Sequence, residues 1–241
     1  FICSCFCFCF SVCLGICIDQ ILFFNTACEP HVEDLCRFLI KMGAQIQGHG
    51  TNRIAIQGVG MLHGAEHTVG ADYIEVGSYL AAAAVTGGGL VVEDIDDVEP
   101  LRIINRGFNR VGLSWTREGS ALKFAGGVPM QVEGDFRFGI PKIDSGVWPA
   151  FPSDMMSVAV VMATQAHGSI LFFEKMFESR MHFASRLIDM GAHIIQCDPH
   201  RVLVQGPTQL RGMQISSPDI RAGMALLIAA LCAKGHSIID Q

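Results

Sequence analysis

Apolar residues recur along this chain in two alternating patterns, and from Ile21 onward the pair repeats. The first pattern is a one-sided helix. After Glu29-Pro30, residues Leu35, Phe38, Leu39 and Met42 fall at the i, i+3, i+4, i+7 spacing of an amphipathic helix. Gly43-Ala44 ends it, as glycine commonly does past a helix C-terminus. A short strand from Gln45 to Gln47, a Gly-His-Gly-Thr-Asn turn and an alternating strand from Arg53 to Gly58 complete a hairpin. The same order returns after Phe177-Glu178-Ser179-Arg180. Phe183, Ala184, Leu187 and Ile188 form the helix face, Met190-Gly191-Ala192 the break, and Arg201 to Gly206 the closing strand. Gly43 to Gly58 and Gly191 to Gly206 are both steps of fifteen residues, so the two stretches read as copies of one unit. A looser copy starts at Glu99-Pro100, with Leu101, Ile104, Phe108 and Val111 ahead of Gly112-Leu113.

The second pattern is a helix apolar on every side, followed by glycine and a β-run. It appears as Gly77 to Thr86 with Leu90-Val91-Val92, as Asp154 to Ala166 with Gly168 to Phe173, and as Asp219 to Ala233 with Gly235 to Ile239. Asp154 to Gly168 and Arg221 to Gly235 are both steps of fourteen residues. A helix without a polar face belongs in an interior, so these helices are expected inside, with the strands around them. The complete unit is β-α-β-α-β-β. From Gly168 the chain runs 38 residues to Gly206, whereas six follow Gly235, so at least 32 residues of the last repeat are expected beyond Gln241.

The fold class that follows is α/β, built from repeated βαβαββ units. Residues 21–71 are expected to form the last unit of one domain, incomplete and with an exposed apolar patch. Residues 72–241 are expected to form a second, nearly complete domain whose last repeat is unfinished, with the boundary near Ala71-Asp72. Phe1 to Ile18 stand apart: they carry no charge and are dominated by Phe, Cys and Ile. They lack the positive start and small-residue cleavage site of a signal peptide. Residues 1–20 read either as sequence foreign to the protein or as a hydrophobic anchor, and the first reading is preferred, which argues against a membrane partner.

Composition narrows the chemistry. With 17 Lys+Arg against 23 Asp+Glu, there is no basic excess for a nucleic-acid surface. Six of ten cysteines lie within the first 17 residues, and Cys28, Cys36, Cys197 and Cys232 show neither zinc-site nor disulfide spacing. They read as buried free thiols of a reducing compartment, here the cytoplasm.

Two polar clusters open all-apolar helices. In Trp148-Pro149-Ala150-Phe151-Pro152-Ser153-Asp154-Met155-Met156, Ser153 or Asp154 could simply cap the helix. In Ser216-Ser217-Pro218-Asp219-Ile220-Arg221, capping accounts for Ser217 or Asp219 but not for Arg221, a cation where the helix dipole opposes it. That charge makes the functional reading of the second cluster as strong as the structural one.

These clusters, with Glu174-Lys175-Met176-Phe177-Glu178-Ser179-Arg180, resemble the enolpyruvyl transferases, in particular those acting on UDP-N-acetylglucosamine, the UDP-N-acetylglucosamine 1-carboxyvinyltransferases. Asn25 to Gly58, Asp72 to Ser78 and Met190-Gly191-Ala192 support the likeness, which spans residues 21 to 241. The sister 3-phosphoshikimate 1-carboxyvinyltransferases match these motifs less well. The resemblance implies two inside-out α/β barrel domains of three units each. It implies transfer of an enolpyruvyl group from phosphoenolpyruvate to the 3'-hydroxyl of UDP-N-acetylglucosamine for peptidoglycan, without metal or organic cofactor. By position, Asp154 matches the carboxylate on that hydroxyl, a general base. Met176 matches a backbone contact to the nucleotide sugar. Asp219 and Arg221 match the pair facing the enolpyruvyl and phosphate groups, where an arginine fork suits phosphate or carboxylate. Trp148 stands where many relatives carry His. The family's proton-donating loop, an N-terminal Lys-Asn pair with an Arg, and a C-terminal Arg have no counterpart here. The chain as given is therefore expected to be inactive, or a non-catalytic remnant that binds a nucleotide sugar.

Overall fold

The computed structural model describes residues 20–95 and 97–240. The Cys/Phe-rich stretch Phe1 to Ile18 lies outside them. Gln20, grouped above with that stretch, opens the first strand. The chain divides into two compact units, one ending at Gly70 and one beginning at Ala71.

In the first unit, β1 (Gln20–Phe24), α1 (Pro30–Lys41), β2 (Gln45–Gln47) and β3 (Arg53–Gln57) follow in order. The strands form an antiparallel sheet, β1-β3-β2, in which Ile56 faces Ile21 on one side and Ile46 on the other. Proline is tolerated in the first turn of α1 because its missing N–H would go unbonded there. Cys36 and Leu39 of this helix pack on Ile46, Ile54 and Ile56. Leu35, expected on the buried face, is 39% exposed. A three-stranded sheet covers only the line through Cys36, Leu39 and Ile40, and Leu35 lies at its flank. Leu22 and Phe24 also face outward on β1.

The second unit is one repeat with partial repeats on either side. Its centre is β7 (Lys142–Asp144), α4 (Met156–Gln165), β8 (Gly168–Phe173), α5 (Ala184–Asp189), β9 (His193–Gln196) and β10 (Arg201–Gly206). A 3-10 turn, Ser153–Met155, leads into α4. The sheet order is β7-β8-β10-β9. β7 and β8 are parallel and joined across α4, while β10 is antiparallel to both β8 and β9. Before this repeat come α2 (Tyr73–Thr86), β4 (Leu90–Val92), α3 (Glu99–Asn109), β5 (Thr116–Glu118) and β6 (Ala121–Phe124), with sheet order β4-β6-β5. After it come β11 (Gln214–Ser216), α6 (Ile220–Cys232) and β12 (Ile238–Asp240), the two strands parallel across α6. The last β-run thus starts at Ile238, three residues later than the glycine spacing suggested.

Helices α2, α4 and α6 pack on one another, and Met156 through Thr164 of α4 are all buried. Outer helix α3 is two-faced, with Leu101, Ile104 and Phe108 inward. It comes so close to the turn ahead of α4 that a Cβ on Gly107 would stand 2.2 Å from the Phe151 ring. Helix α6 departs from the expectation of burial on every side: Ile220, Met224, Leu227 and Leu231 form an exposed stripe. In the complete repeat, β10 pairs with β8 and covers α4, whereas among the described residues β12 pairs only with β11. Two further residues expected inside face solvent. Ile188 is 39% exposed on α5, and Cys197 lies just past edge strand β9. Among the described residues the four cysteines form no disulfide with one another.

Candidate functional site

The N-terminal ends of α2, α4 and α6 meet around one pocket of about 190 Å³, lined among others by Asp72, Glu75, Asp154, Ile220 and Arg221. Each helix end carries a partial positive charge, and the pocket sets Asp72, Glu75, Asp154 and Arg221 against these ends.

Each end is built differently. At α2, Asp72 accepts hydrogen bonds from the Ile74 and Glu75 amides at 2.8 and 3.3 Å. At α6, Asp219 accepts from the Arg221 and Ala222 amides at 2.8 and 2.9 Å. At α4 neither expected cap is used. Pro152 caps the preceding 3-10 turn and Met155 the helix itself, neither with a side-chain hydrogen bond, and Ser153 donates instead to Glu174. The Asp154 carboxylate lies between two guanidinium groups: Oδ1 is 2.6 Å from Arg180 Nη1, and Oδ2 is 3.0 Å from Arg221 Nη2. The misplaced cation of the sequence thus finds its partner across the helix ends, and Ser157 Oγ donates to the Arg221 carbonyl at 3.1 Å. Arg180 also lies 4.4 Å from the centre of the Phe177 ring, a cation–π contact that fixes its plane.

Behind Asp154 lies Glu174, fully buried at the end of β8. Oε1 accepts from Ser145 Oγ (2.8 Å) and from the Met176 and Phe177 amides (2.7 and 3.2 Å). Oε2 accepts from Ser153 Oγ at 2.7 Å. Further out, burial opposes ionisation of Asp144, but hydrogen bonds and charge from Lys175 and Lys142 outweigh it and hold the carboxyl below its usual range.

Of the residues singled out from sequence, Asp154 and Arg221 are brought together. Asp219 is a neighbour whose carboxylate is engaged with its own helix. Met176 is 40% exposed, and its amide donates inward to Glu174. Trp148 packs on Tyr73 with ring centres 5.5 Å apart, next to a cis bond to Pro149. Sequence reasoning gave no role to Arg180 or Glu174. A glutamate closing the apolar run Ile170 to Phe173 was the available signal for the second. No spacing rule joins Arg180 to Asp154. Among the described residues, no group of three His, Cys, Asp or Glu is gathered as metal ligands would be.

The Asp154 carboxylate, paired with two arginines, thus stands at the mouth of the converging helix ends. The family model for EPSP synthase (3-phosphoshikimate 1-carboxyvinyltransferase) matches residues 15–241, and the chain belongs to this family of enolpyruvyl transferases. Within it, the chain is 50% identical over 217 residues to a UDP-N-acetylglucosamine 1-carboxyvinyltransferase of Treponema denticola, covering 89% of this chain and 50% of the relative. It is 51% identical over 215 residues to the enzyme of the same name from Treponema pallidum, with the same coverage. The chain therefore spans about half the length of these curated relatives. The crystal structure of the enolpyruvyl transferase NikO from Streptomyces tendae shares the fold, with TM-score 0.79 at 20% identity over 94% of this chain and 52% of that one.

Proposed function

We propose that this chain carries part of the active site of an enzyme that transfers an enolpyruvyl group from phosphoenolpyruvate to the 3'-hydroxyl of UDP-N-acetylglucosamine, releasing phosphate. The product is a peptidoglycan precursor, and the setting is cytoplasmic. The observation that carries the reading is Asp154 held between Arg180 and Arg221. Asp154 accepts the proton of the sugar hydroxyl as that oxygen adds to the enol carbon; the neighbouring methylene takes a proton from a separate acid and loses one again as phosphate leaves. Arg221, with Arg180, offers a fork to the phosphate or carboxylate of phosphoenolpyruvate. As the anion engages the arginines, it takes over their charge and leaves Asp154 able to act as a base. Asp219 sets the first turn of α6 and so aims Arg221. Met176 contributes its backbone to the nucleotide-sugar side. The packing of α2, α4 and α6 against surrounding sheets supports an inside-out α/β barrel. In that reading residues 21–71 close one domain and residues 72–241 make most of a second. No helix among the described residues is long and apolar enough to cross a membrane.

The family model bears the name of the phosphoshikimate enzyme, so that substrate is the natural control. Isothermal titration of the protein with UDP-N-acetylglucosamine should give saturable heat that Asp154→Asn weakens, and shikimate 3-phosphate should give none. No heat with the nucleotide sugar, or heat with the shikimate compound alone, removes this reading.

A further inference from the structure

We infer that Glu174 is a positioning residue that holds both halves of the site in one arrangement. It is a buried carboxylate whose hydrogen-bond donors are hydroxyls and amides, and burial is costly for such a group unless hydrogen bonds replace the lost water. Here they do, with three donors on Oε1 and one on Oε2. Those donors come from three separate pieces of chain. Ser145 follows β7, Ser153 is the residue before Asp154, and Met176 and Phe177 begin the loop that ends in Arg180. The Ser145 hydroxyl also accepts the Lys175 amide at 2.8 Å, and the Glu174 carbonyl lies 3.1 Å from His200 Nδ1, so the strut is anchored at both ends. Asp154 makes no helix cap of its own, so Ser153 is the side chain that fixes its turn. Arg180 is oriented by Phe177, whose amide Glu174 holds. A single carboxylate thus sets the distance between Asp154 and Arg180.

Glu174→Gln tests this, because an amide replaces one acceptor oxygen with a donor and leaves part of the set unmatched. The readout is hydrogen exchange by mass spectrometry on the full chain. Amides of Met176 and Phe177 should exchange at least about tenfold faster, the size of one lost hydrogen bond to a charged acceptor. Val158–Met162 and Val202–Val204 should keep their protection. Unchanged exchange at residues 176 and 177, or a uniform rise across the unit, overturns the inference. If Glu174→Gln does not fold, Ser153→Ala is read the same way at residues 150–155. Action through Asp154 is read by titration with UDP-N-acetylglucosamine. Ser153→Ala should weaken binding in the unsubstituted chain and add nothing in an Asp154→Asn background, whereas additive losses overturn it. This last arm rests on the proposed function. No binding by the unsubstituted chain refutes that reading, while the exchange result still decides Glu174.

Discussion

Replacing Asp154 by Asn removes one negative charge from between two guanidinium groups and changes little else in shape. The cost follows from the surroundings. The Asp154 and Arg180 side chains are 30% and 18% exposed, so their 2.6 Å pair counts as a partly buried, charge-assisted hydrogen bond. Arg221 is 38% exposed, and its 3.0 Å pair counts nearer to a surface ion pair. Such interactions contribute about 1.5–3 and about 0.2–1 kcal/mol. Asparagine keeps one acceptor oxygen, so a net loss of about 2 kcal/mol is expected. Domains of about 150–250 residues lose about 2–4 °C of Tm per kcal/mol, so Tm should fall by about 4–8 °C.

The same substitution should act in the opposite direction on a small anion. With residue 154 neutral, both arginines are unmasked, and inorganic phosphate should bind about tenfold tighter, as expected for one unit charge removed at short range in a partly wet site. UDP-N-acetylglucosamine, whose hydroxyl Asp154 would hold, should bind more weakly. Calorimetric scanning and titration of both ligands on the two proteins check this. A Tm within about 1 °C of the parent together with unaltered phosphate affinity would refute the two-arginine clamp. A lower Tm with weaker phosphate binding would show that the substitution collapses the turn instead of unmasking the arginines.

Gly107→Ala should cost about 1–3 kcal/mol by overpacking, because its Cβ would meet the Phe151 ring at 2.2 Å; a chemical denaturation midpoint equal to the parent's would contradict the close approach. Burial pushes the Cys232 thiol up from 9.0 to about 11, so the folded state favours the neutral thiol. Its stabilising share is intact below about pH 9 and is lost as pH rises toward about 11. Peptide mapping after iodoacetamide at about pH 8 should find exposed Cys197 modified well before Cys232. Leu227→Glu on the exposed stripe of α6 should leave Tm within about 1 °C and reduce aggregation in light scattering; a loss of several degrees would show that this face is covered.

Helices and long strands were legible because they carry periodicity over many residues. The all-apolar run from Met156 to Thr164 could only be an interior helix, and the two-faced α3 announced its own core side. The short parallel strands were not legible. β7 and β11 have three residues each and bury one isoleucine apiece, Ile143 and Ile215, too little to show a period. β5 is exposed throughout and reads as a polar loop. Yet β7 and β11 run directly into Ser145 and Ser217, so the elements hardest to see are those that aim the site. The fate of α6 was misjudged because an apolar sequence states what a helix needs and not whether its neighbours are there. Glu174 reaches Ser153 across 21 residues of chain and Arg180 reaches Asp154 across 26, separations that local spacing does not encode.

The two clusters that looked alike in sequence separate for a physical reason. In Pro218-Asp219, the aspartate follows proline directly and takes the cap position in extended backbone, at φ −160° and ψ 169°. From there its side chain folds back onto the amides of Arg221 and Ala222, as capping residues do. In Pro152-Ser153-Asp154, one serine intervenes. The cap position falls to proline at φ −64° and ψ 132°, and Asp154 is already inside the turn. A carboxylate there points away from the free amides and must find partners sideways, which Arg180 and Arg221 provide. The serine so inserted is also the residue Glu174 grips. One extra residue after proline thus converts a helix cap into a tethered carboxylate in contact with two arginines. Deleting Ser153 should therefore restore a cap at Asp154 and remove both ion pairs, whereas Ser153→Ala should loosen the turn and leave the pairs within reach.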